Sequence, residues 1–224
     1  MRTVFENVQN IKKELAGGNP FGEAVTLVAA IKTQGVDAIN EAIRAGVDAV
    51  AENRVQEFRE KSEYLLPCPQ HFIGHLQTNK VKYLVGKIDL FHSVDRDGLL
   101  TEISHASEKI GAVSNILLQV NIGEESSKGG YALGEAEEVF LHALSTPAVR
   151  VKGFMAMLPE SDDLRLLGGL TRQMRALFER AREHSSDVQI LSVGMSGDYR
   201  LCVENGSNCV RIGSGIFGAR NYQK

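Results

Sequence analysis

Lys32 is the residue of this chain whose position most directly suggests a chemical reaction. It follows the apolar run Val25–Ile31, so it stands where a buried strand would end. Apolar surroundings favour the neutral form of an amine, and a neutral lysine attacks aldehydes and ketones to form a Schiff base. The alternative is a lysine that ends the strand and extends its charged head into solvent. The polar residues at other strand ends decide between the two.

Two segments rich in glycine and serine have the composition of anion-binding loops. They are Gly194-Met195-Ser196-Gly197-Asp198 and Arg211-Ile212-Gly213-Ser214-Gly215, and each follows an apolar run. Small residues let backbone N–H groups approach an oxyanion, and a helix beginning near Ser196 would direct its positive end toward it. Either segment alone is typical of an ordinary turn, but the two together predict a phosphate site.

Other polar residues near strand ends are weaker candidates. Asn53 lies in a tripeptide, Glu52-Asn53-Arg54, that is equally typical of the start of a helix. His71 and His75 have the four-residue spacing of helical zinc ligands, but the residues between them favour a strand, so we reject zinc. His75 remains a candidate site residue and His71 a core residue. Met155, at another strand end, could touch the ring of a ligand.

Eight short apolar runs predict the strands that must position these residues. They are Val25–Ile31, Asp48–Ala51, His71–Gly74, Ile88–Ser93, Ile116–Asn121, Val149–Met155, Gln189–Val193 and Cys209–Ile212. Amphipathic segments between them predict helices at Ala38–Ala45, Val55–Tyr64, Gly98–Lys109, Gly134–Leu144 and Leu170–His184.

The alternation of strand and helix predicts an α/β protein with a parallel sheet. Strands that are apolar on both faces are buried on both sides, and eight units are the number that closes a (β/α)8 barrel like that of triosephosphate isomerase. An open, doubly wound sheet is the alternative. The segment Val4–Leu15 predicts a helix before the first strand. We expect residues 1–224 to form one domain.

The composition favours a soluble cytoplasmic protein that binds neither nucleic acid nor membrane. The net charge is −3 with a pI of about 6.1, and no basic stripe is present. Three scattered cysteines fit neither a disulfide framework nor a zinc site. The N-terminus lacks the apolar core of a signal peptide, and no apolar run approaches the length of a membrane span.

Seven segments, in order along the chain, resemble those of the YggS/PROSC family, the pyridoxal phosphate homeostasis proteins. They are Ala-Ile-Lys-Thr, Ala-Glu-Asn-Arg-Val-Gln-Glu, His-Phe-Ile-Gly-His-Leu-Gln-Thr-Asn-Lys, His-Ser-Val-Asp-Arg, Leu-Leu-Gln-Val-Asn-Ile, Gly-Met-Ser-Gly-Asp-Tyr and Val-Arg-Ile-Gly-Ser-Gly-Ile-Phe-Gly-Ala-Arg. The resemblance covers nearly the whole chain. One small departure is Lys128-Gly129-Gly130, where the family usually has a lysine, a variable residue and a glycine.

The resemblance implies a barrel of the fold type III class, related to the N-terminal domain of bacterial alanine racemase. In that family pyridoxal 5′-phosphate (PLP) is held as a Schiff base on the lysine that ends the first strand, and Lys32 matches that lysine. By the same resemblance, Ser196 and the backbone around Gly213 and Ser214 contact the phosphate.

The resemblance also implies the surroundings of the cofactor ring. Arg211 corresponds to the partner of the pyridine nitrogen and Asn53 to a residue beside the ring. His75 and Met155 would line the same site. The implied role is storage or delivery of PLP in vitamin B6 homeostasis, with PLP-dependent enzymes as acceptors. We expect a monomer.

Three functions remain open at this point, and a non-catalytic PLP carrier is the expected one. Arg211 can only donate a hydrogen bond, so the ring nitrogen would stay unprotonated and the ring would be a weak electron sink. A weak amino-acid racemase is the first alternative, although the chain ends after the eighth unit, without the domain that supplies the second base of alanine racemase. The residues alone also allow an aldolase that forms its Schiff base with a phosphorylated sugar.

Overall fold

Eight parallel strands form a closed barrel in the computed structural model, which describes residues 2–125 and 129–218. Each strand pairs with the next along the chain, and β8 pairs with β1. The predicted (β/α)8 barrel is therefore confirmed, and the open sheet is wrong. Lys128, together with Ala219 and Arg220 at the end of the last motif, lies outside the described residues.

The strands coincide closely with the apolar runs of the sequence. Their bounds are β1 Thr26–Ala30, β2 Ala49–Glu52, β3 Gln70–Phe72, β4 Leu90–Val94, β5 Ser114–Val120, β6 Val149–Ala156, β7 Ile190–Val193 and β8 Cys209–Ile212. Differences from the predicted bounds are small, because each run is bounded by polar or turn residues that leave little freedom.

The helices pack on the outside of the barrel, where the first precedes β1, the last follows β8 and the others connect successive strands. Their bounds are α1 Val4–Leu15, α2 Val36–Arg44, α3 Val55–Lys61, α4 Asp97–Lys109, α5 Ala136–Leu144, α6 Leu164–His184, α7 Tyr199–Glu204 and α8 Ser214–Phe217. Between β3 and β4 the connection is a 3-10 helix, Thr78–Tyr83. None of the helices in the described ranges is long and apolar enough to cross a membrane.

Helix α6 begins six residues before its predicted start at Leu170. The Asp163 side chain accepts hydrogen bonds from the amides of Arg165 and Leu166 and so caps the helix N-terminus. Gly168 and Gly169 follow this cap within the helix and weaken its sequence signal, because glycine is a poor helix former. The cap and the burial of Gly168 outweigh that preference.

Helix α1 confirms the predicted element before the first strand. Thr3 and Glu6 form a reciprocal capping box at its start, and Val8, Ile11 and Leu15 bury one face. The Asn7 side chain donates a hydrogen bond to the Ile216 carbonyl in α8. This contact joins the first helix to the loop that follows the last strand.

Side chains alternate between the inside of the barrel and the layer beneath the helices. Two small apolar clusters come from alternate strand residues, one containing Val28, Ala51 and Cys209 and the other Leu90, Leu117 and Met155. Polar side chains share this interior and are described below. The opposite faces of the strands pack against the helices in two larger apolar clusters.

Candidate functional site

A pocket of about 270 Å³ lies at the carboxyl ends of the strands, where barrels of this kind place their chemistry. It brings together seven of the eight predicted site residues, namely Lys32, Asn53, Met155, Ser196, Arg211, Gly213 and Ser214. Met195 and Gly197, which lie in a predicted anion-binding loop, also line it, whereas sequence reasoning did not assign its other lining residues, Ala30, Ile73 and Met157. The sequence feature that could have identified these residues is their position, because each lies on or just beyond a strand end.

Lys32 reaches the pocket because it continues the inward line of β1 through Val28 and Ala30. The next residue, Thr33, has a φ of 65°, which is uncommon for a β-branched side chain. Its amide donates to Glu57 Oε2 at 2.7 Å, and its hydroxyl donates to the Lys32 carbonyl at 2.6 Å. The backbone after Lys32 is thus held in a strained turn by a carboxylate from α3.

Glu57 belongs to a half-buried ion cluster beneath this turn. Lys61 Nζ lies 2.6 Å from Glu57 Oε2 and 3.3 Å from Glu52 Oε1. Burial alone would raise the pKa of Glu57, but the hydrogen bonds from Lys61 and the Thr33 amide outweigh it and lower that pKa. Burial does raise the pKa of Glu52, only partly offset by Lys61. The i,i+4 spacing of Glu57 and Lys61 was the only sequence signal for this cluster.

Replacing Glu57 by alanine is expected to loosen the turn that carries Lys32. The Thr33 amide would lose its acceptor, so the free energy of unfolding should fall by about 1–3 kcal/mol in urea titrations. Glu60→Ala is the matched control, since exposed Glu60 lies on the same helix and, within the described residues, its carboxylate accepts only from the Gln56 side chain. Equal stability of the two variants would contradict an anchoring role for Glu57.

Ser196 and the start of α8 form a small cradle of hydrogen-bond donors. The Ser196 hydroxyl oxygen accepts from the Gly213 amide at 3.3 Å and from the Gly215 amide at 3.1 Å. Since these amides occupy its lone pairs, the hydroxyl hydrogen points elsewhere. Helix α7 begins at Tyr199, three residues after Ser196. The two predicted anion loops therefore meet in space, at the edge of the pocket that contains Lys32.

The turn after β7 depends on Gly194. Its φ is +113°, and a Cβ there would lie 3.0 Å from both the Tyr199 Cα and the Cys202 Cβ. Any side chain would combine backbone strain with a clash against the start of α7. Glycine thus lets the chain turn sharply enough to bring Ser196 to the pocket.

Arg211 is a buried cation whose guanidinium forms part of the pocket wall. It is 4% exposed, and it donates to the Ser192 carbonyl and hydroxyl, both at 2.6 Å, and to the Ala156 carbonyl at 2.9 Å. Burial lowers its pKa from the ordinary value. No carboxylate within the two described ranges forms an ion pair with it, and two of its five N–H groups make no hydrogen bond there. A buried charge of this kind favours an anionic or hydrogen-bond-accepting ligand.

Asn53 supplies a second unsatisfied group to the same pocket. Its Oδ1 atom is buried and has no hydrogen-bond partner among the residues the structure describes. The backbone of Asn53 is fixed by Gly74, where a Cβ would lie 2.0 Å from the Asn53 carbonyl oxygen. Buried polar atoms are seldom left unpaired in proteins, so a ligand donor is the natural partner for this amide.

His75 lies outside the pocket that contains Lys32. Its ring is exposed, pairs with Asp95 Oδ2 at 3.1 Å, and lines a neighbouring depression with Arg59, Lys80 and Tyr83. His75 lies three residues beyond the end of β3 at Phe72, and its side chain lines this depression. Its predicted contact with the cofactor remains a prediction that none of these contacts supports.

A larger groove lies beside the pocket that contains Lys32. It has a volume of about 780 Å³, lies between the β6–α6 loop and α7, and shares only Met195 and Gly197 with the pocket around Lys32. Glu160, Asp162 and Asp198 give it an acidic lining. Lys32 and Arg211 do not line it, so the smaller pocket is the candidate site for the predicted chemistry.

Two buried histidines below the pocket predict a loss of stability in mild acid. Burial lowers the pKa of His71 to about 4 and that of His92 well below its ordinary value. The unfolded chain takes up these protons near pH 6.5 while the folded chain does not, so the free energy of unfolding falls as the pH drops through this window. From pH 8 to pH 5 the loss is about 2 kcal/mol for His71 alone.

Urea unfolding at pH 8 and pH 5 measures this loss. His71→Leu removes one of the two titrating groups and should reduce the difference between the two pH values. His105→Leu, at an exposed position of α4, should leave the difference unchanged. An identical difference in His71→Leu and the unmodified protein would contradict the assignment.

Comparison with known proteins places this geometry in a family. The family model described as alanine racemase, N-terminal domain, matches residues 2–221. A pyridoxal phosphate homeostasis protein of Aquifex aeolicus is 39% identical over 222 residues, which cover 98% of this chain and 96% of the relative.

Two solved structures have the same barrel. PipY of Synechococcus elongatus PCC7942, solved with PLP bound, has a TM-score of 0.84 and 27% identity, covering 96% of this chain and 100% of PipY. An alanine racemase of Clostridium difficile has a TM-score of 0.77 and 15% identity, covering 99% of this chain and 58% of the racemase. At 15% identity, the similarity to this racemase shows a shared fold only.

Proposed function

Because this chain belongs to the alanine racemase N-terminal domain family, we propose that it binds PLP in the pocket around Lys32 and acts in the homeostasis of this cofactor. The observation that carries the proposal is the convergence of three groups in one pocket. These are the lysine amine, the Ser196 hydroxyl with its adjacent amides, and a buried guanidinium that forms no ion pair with a carboxylate of the described residues. An aldehyde, a phosphate and a ring nitrogen are the ligand groups that complement them.

The residues of the pocket fit PLP in charge as well as in composition. A dianionic phosphate suits a pocket whose described lining contains Lys32 and Arg211 and no carboxylate, and a ring substituent would pair with the buried amide of Asn53. Met155, Met157 and Ile73 offer apolar contacts to a flat ring. When bound, PLP supplies an aldehyde that forms a Schiff base with Lys32 and a ring that can accept electrons.

Each side chain has a distinct proposed role. Lys32 holds the cofactor covalently, and Thr33 and Glu57 keep the backbone beside it in place. Ser196 and the amides near Gly213 and Ser214 bind the phosphate. Arg211 donates a hydrogen bond to the pyridine nitrogen, which then carries no proton of its own.

We propose a carrier rather than a catalyst. A ring nitrogen that only accepts a hydrogen bond from arginine is a weak electron sink, and no described lining residue is acidic. Of the same lining residues, Lys32 alone could exchange a proton with an amino acid, whereas racemisation by two bases needs a second group. His75 lines the neighbouring depression and not this pocket.

Transfer of the cofactor tests the carrier role. The protein loaded with PLP is mixed with the cofactor-free form of a PLP-dependent enzyme, and the recovery of that enzyme's activity is followed over time. In parallel, amino acids are incubated with the loaded protein in D2O. Restored activity without deuterium at Cα supports a carrier, whereas exchange that depends on Lys32 would indicate the racemase.

We also propose that residues 1–224 act as one monomeric, cytoplasmic domain. The closed barrel supports a single folding unit, because its interior and outer layers are complete within the described strands and helices. Size-exclusion chromatography with light scattering tests the monomer, and a mass near twice 24.5 kDa would refute it.

A further inference from the structure

A chain of buried polar groups crosses the barrel interior behind Arg211. Arg211 Nη1 lies 2.6 Å from the Ser192 hydroxyl oxygen, which lies 3.1 Å from His92 Nδ1. His92 Nε2 lies 3.0 Å from His71 Nδ1. Ser192 and His92 are fully buried, and His71 is 9% exposed. The proposed function uses only the first member of this chain.

The chemistry of the members determines the direction of the hydrogen bonds. Arginine can only donate, so Ser192 accepts from Arg211 and has one hydrogen left to give. The positive charge of Arg211 polarises the Ser192 hydroxyl and makes it a better donor. The ring nitrogen of His92 that faces Ser192 is therefore expected to carry a lone pair and not a hydrogen. Ser192 therefore donates to His92 Nδ1, and His92 donates through Nε2 to His71 Nδ1. All three bonds then run the same way, from Arg211 to His71.

An alternative direction exists and is less favourable. His71 Nδ1–H would donate to His92, His92 Nδ1–H to Ser192, and Ser192 to its neighbour Cys209, which pairs with it in register. In this arrangement an imidazole N–H faces the guanidinium, and the serine hydrogen goes to sulfur, a weak acceptor. The first direction avoids both penalties.

Burial is the main reason why the histidines of this chain are neutral, because it lowers the pKa of both. The charged groups near the chain are Arg211 and Asp198 at one end and Asp89 near His71 at the other. A proton on His92 would place a second buried cation beside Arg211, and no carboxylate in the described residues pairs with either group. Neutral imidazoles can still relay orientation, because each has one donor and one acceptor.

We propose that Ser192, His92 and His71 are positioning residues that hold the Arg211 guanidinium at the angle needed to donate to the pyridine nitrogen, with His92 in its Nε2–H form. This inference rests on the proposed function, because Arg211 meets a pyridine nitrogen only if PLP occupies the pocket. The chain fixes Arg211 from behind, while the Ala156 carbonyl fixes it from the side. A guanidinium that is held in this way loses little conformational entropy when PLP binds.

The first test uses the ligand-free protein and so does not depend on PLP. Nitrogen-15 spectra of the histidine rings distinguish the two tautomers of a neutral imidazole, and they are recorded between pH 8 and pH 6. His92 should carry its hydrogen on Nε2 throughout, and its signals should shift in Ser192→Ala. A hydrogen on Nδ1 would overturn the proposed direction and the positioning role that depends on it.

The second test compares PLP with its benzene analogue, in which carbon replaces the pyridine nitrogen. Ser192→Ala and His92→Leu should weaken PLP binding about tenfold, as expected for a misplaced charge-assisted hydrogen bond. Binding of the analogue should change by less than about twofold, because the analogue has no nitrogen for Arg211 to meet. Ser192→Thr retains the hydroxyl and should recover binding of PLP.

Ser114→Ala is the matched control for Ser192→Ala. Ser114 is also a buried strand serine, but its hydroxyl pairs with Ser107, away from Arg211. If Ser192→Ala and His92→Leu lost affinity for PLP and for the analogue equally, their role would be merely structural and the proposal would be wrong. Unchanged PLP binding in both variants would also overturn it. If the unmodified protein bound neither PLP nor the analogue at Lys32, the proposed function would be wrong. The nitrogen-15 spectra would still show in which direction the hydrogen bonds from Arg211 to His71 run.

Discussion

Lys32→Ala is expected to abolish covalent capture of PLP. The unmodified protein, incubated with PLP and reduced with borohydride, should carry one pyridoxyl group on the peptide that contains Lys32. The variant should carry none there, because no other described lining residue of the pocket has an amine. Affinity should fall about 100-fold or more, as expected when a covalent bond is replaced by hydrogen bonds to the phosphate and ring.

Lys80→Ala is the matched control for this experiment. Lys80 lies in the depression beside the pocket, next to Tyr83 and His75, and not in the pocket itself. This variant should be labelled at Lys32 like the unmodified protein. If Lys32→Ala carried as much pyridoxyl label as the unmodified protein, Lys32 would not be the attachment site. A reduced sugar adduct on Lys32 would instead favour the aldolase.

Arg211→Met is expected to have the second largest effect. The substitution roughly keeps the length of the side chain but removes the buried charge and all three of its hydrogen bonds to Ser192 and Ala156. PLP affinity should fall about 30- to 100-fold, corresponding to about 2–3 kcal/mol for lost interactions of a charged group. The visible absorbance of bound PLP should also become more sensitive to pH, because its ring nitrogen can then take up a proton.

Arg200→Met is the control for a general loss of positive charge. Arg200 is exposed, pairs with Glu14, and lines the large groove rather than the pocket around Lys32. Its removal should leave PLP binding unchanged. If Arg211→Met bound PLP as tightly as the unmodified protein, the role of Arg211 would be wrong, while covalent capture at Lys32 would stand or fall separately.

Much of the fold could be predicted because its signals are local. Each apolar run ends in polar or turn residues, so the eight strands and their order follow from short windows of sequence. Helix α6 was predicted to begin too late because Gly168 and Gly169 hide a start that the Asp163 cap determines. At this helix the cap outweighs the short-range preference of the two glycines.

The sequence predicts those residues of the candidate site that lie at or near the ends of strands. Lys32, Asn53 and Ser196 follow apolar runs and Arg211 lies next to the end of β8, and parallel strands of a barrel bring such ends together. His75 also follows a strand, yet its side chain lines the neighbouring depression. Position along the chain does not reveal the direction of a side chain beyond the last strand residue.

The sequence by itself determined the barrel and the positions of the lysine, serine and arginine, because periodicity and strand ends are local properties. Only the tertiary structure decided which distant side chains meet. Glu57 reaches the amide of Thr33 across 24 residues, and His92 reaches Ser192 across 100. Such contacts depend on the register and tilt of strands around the closed barrel, and a change of one residue in register would turn His92 out of the interior.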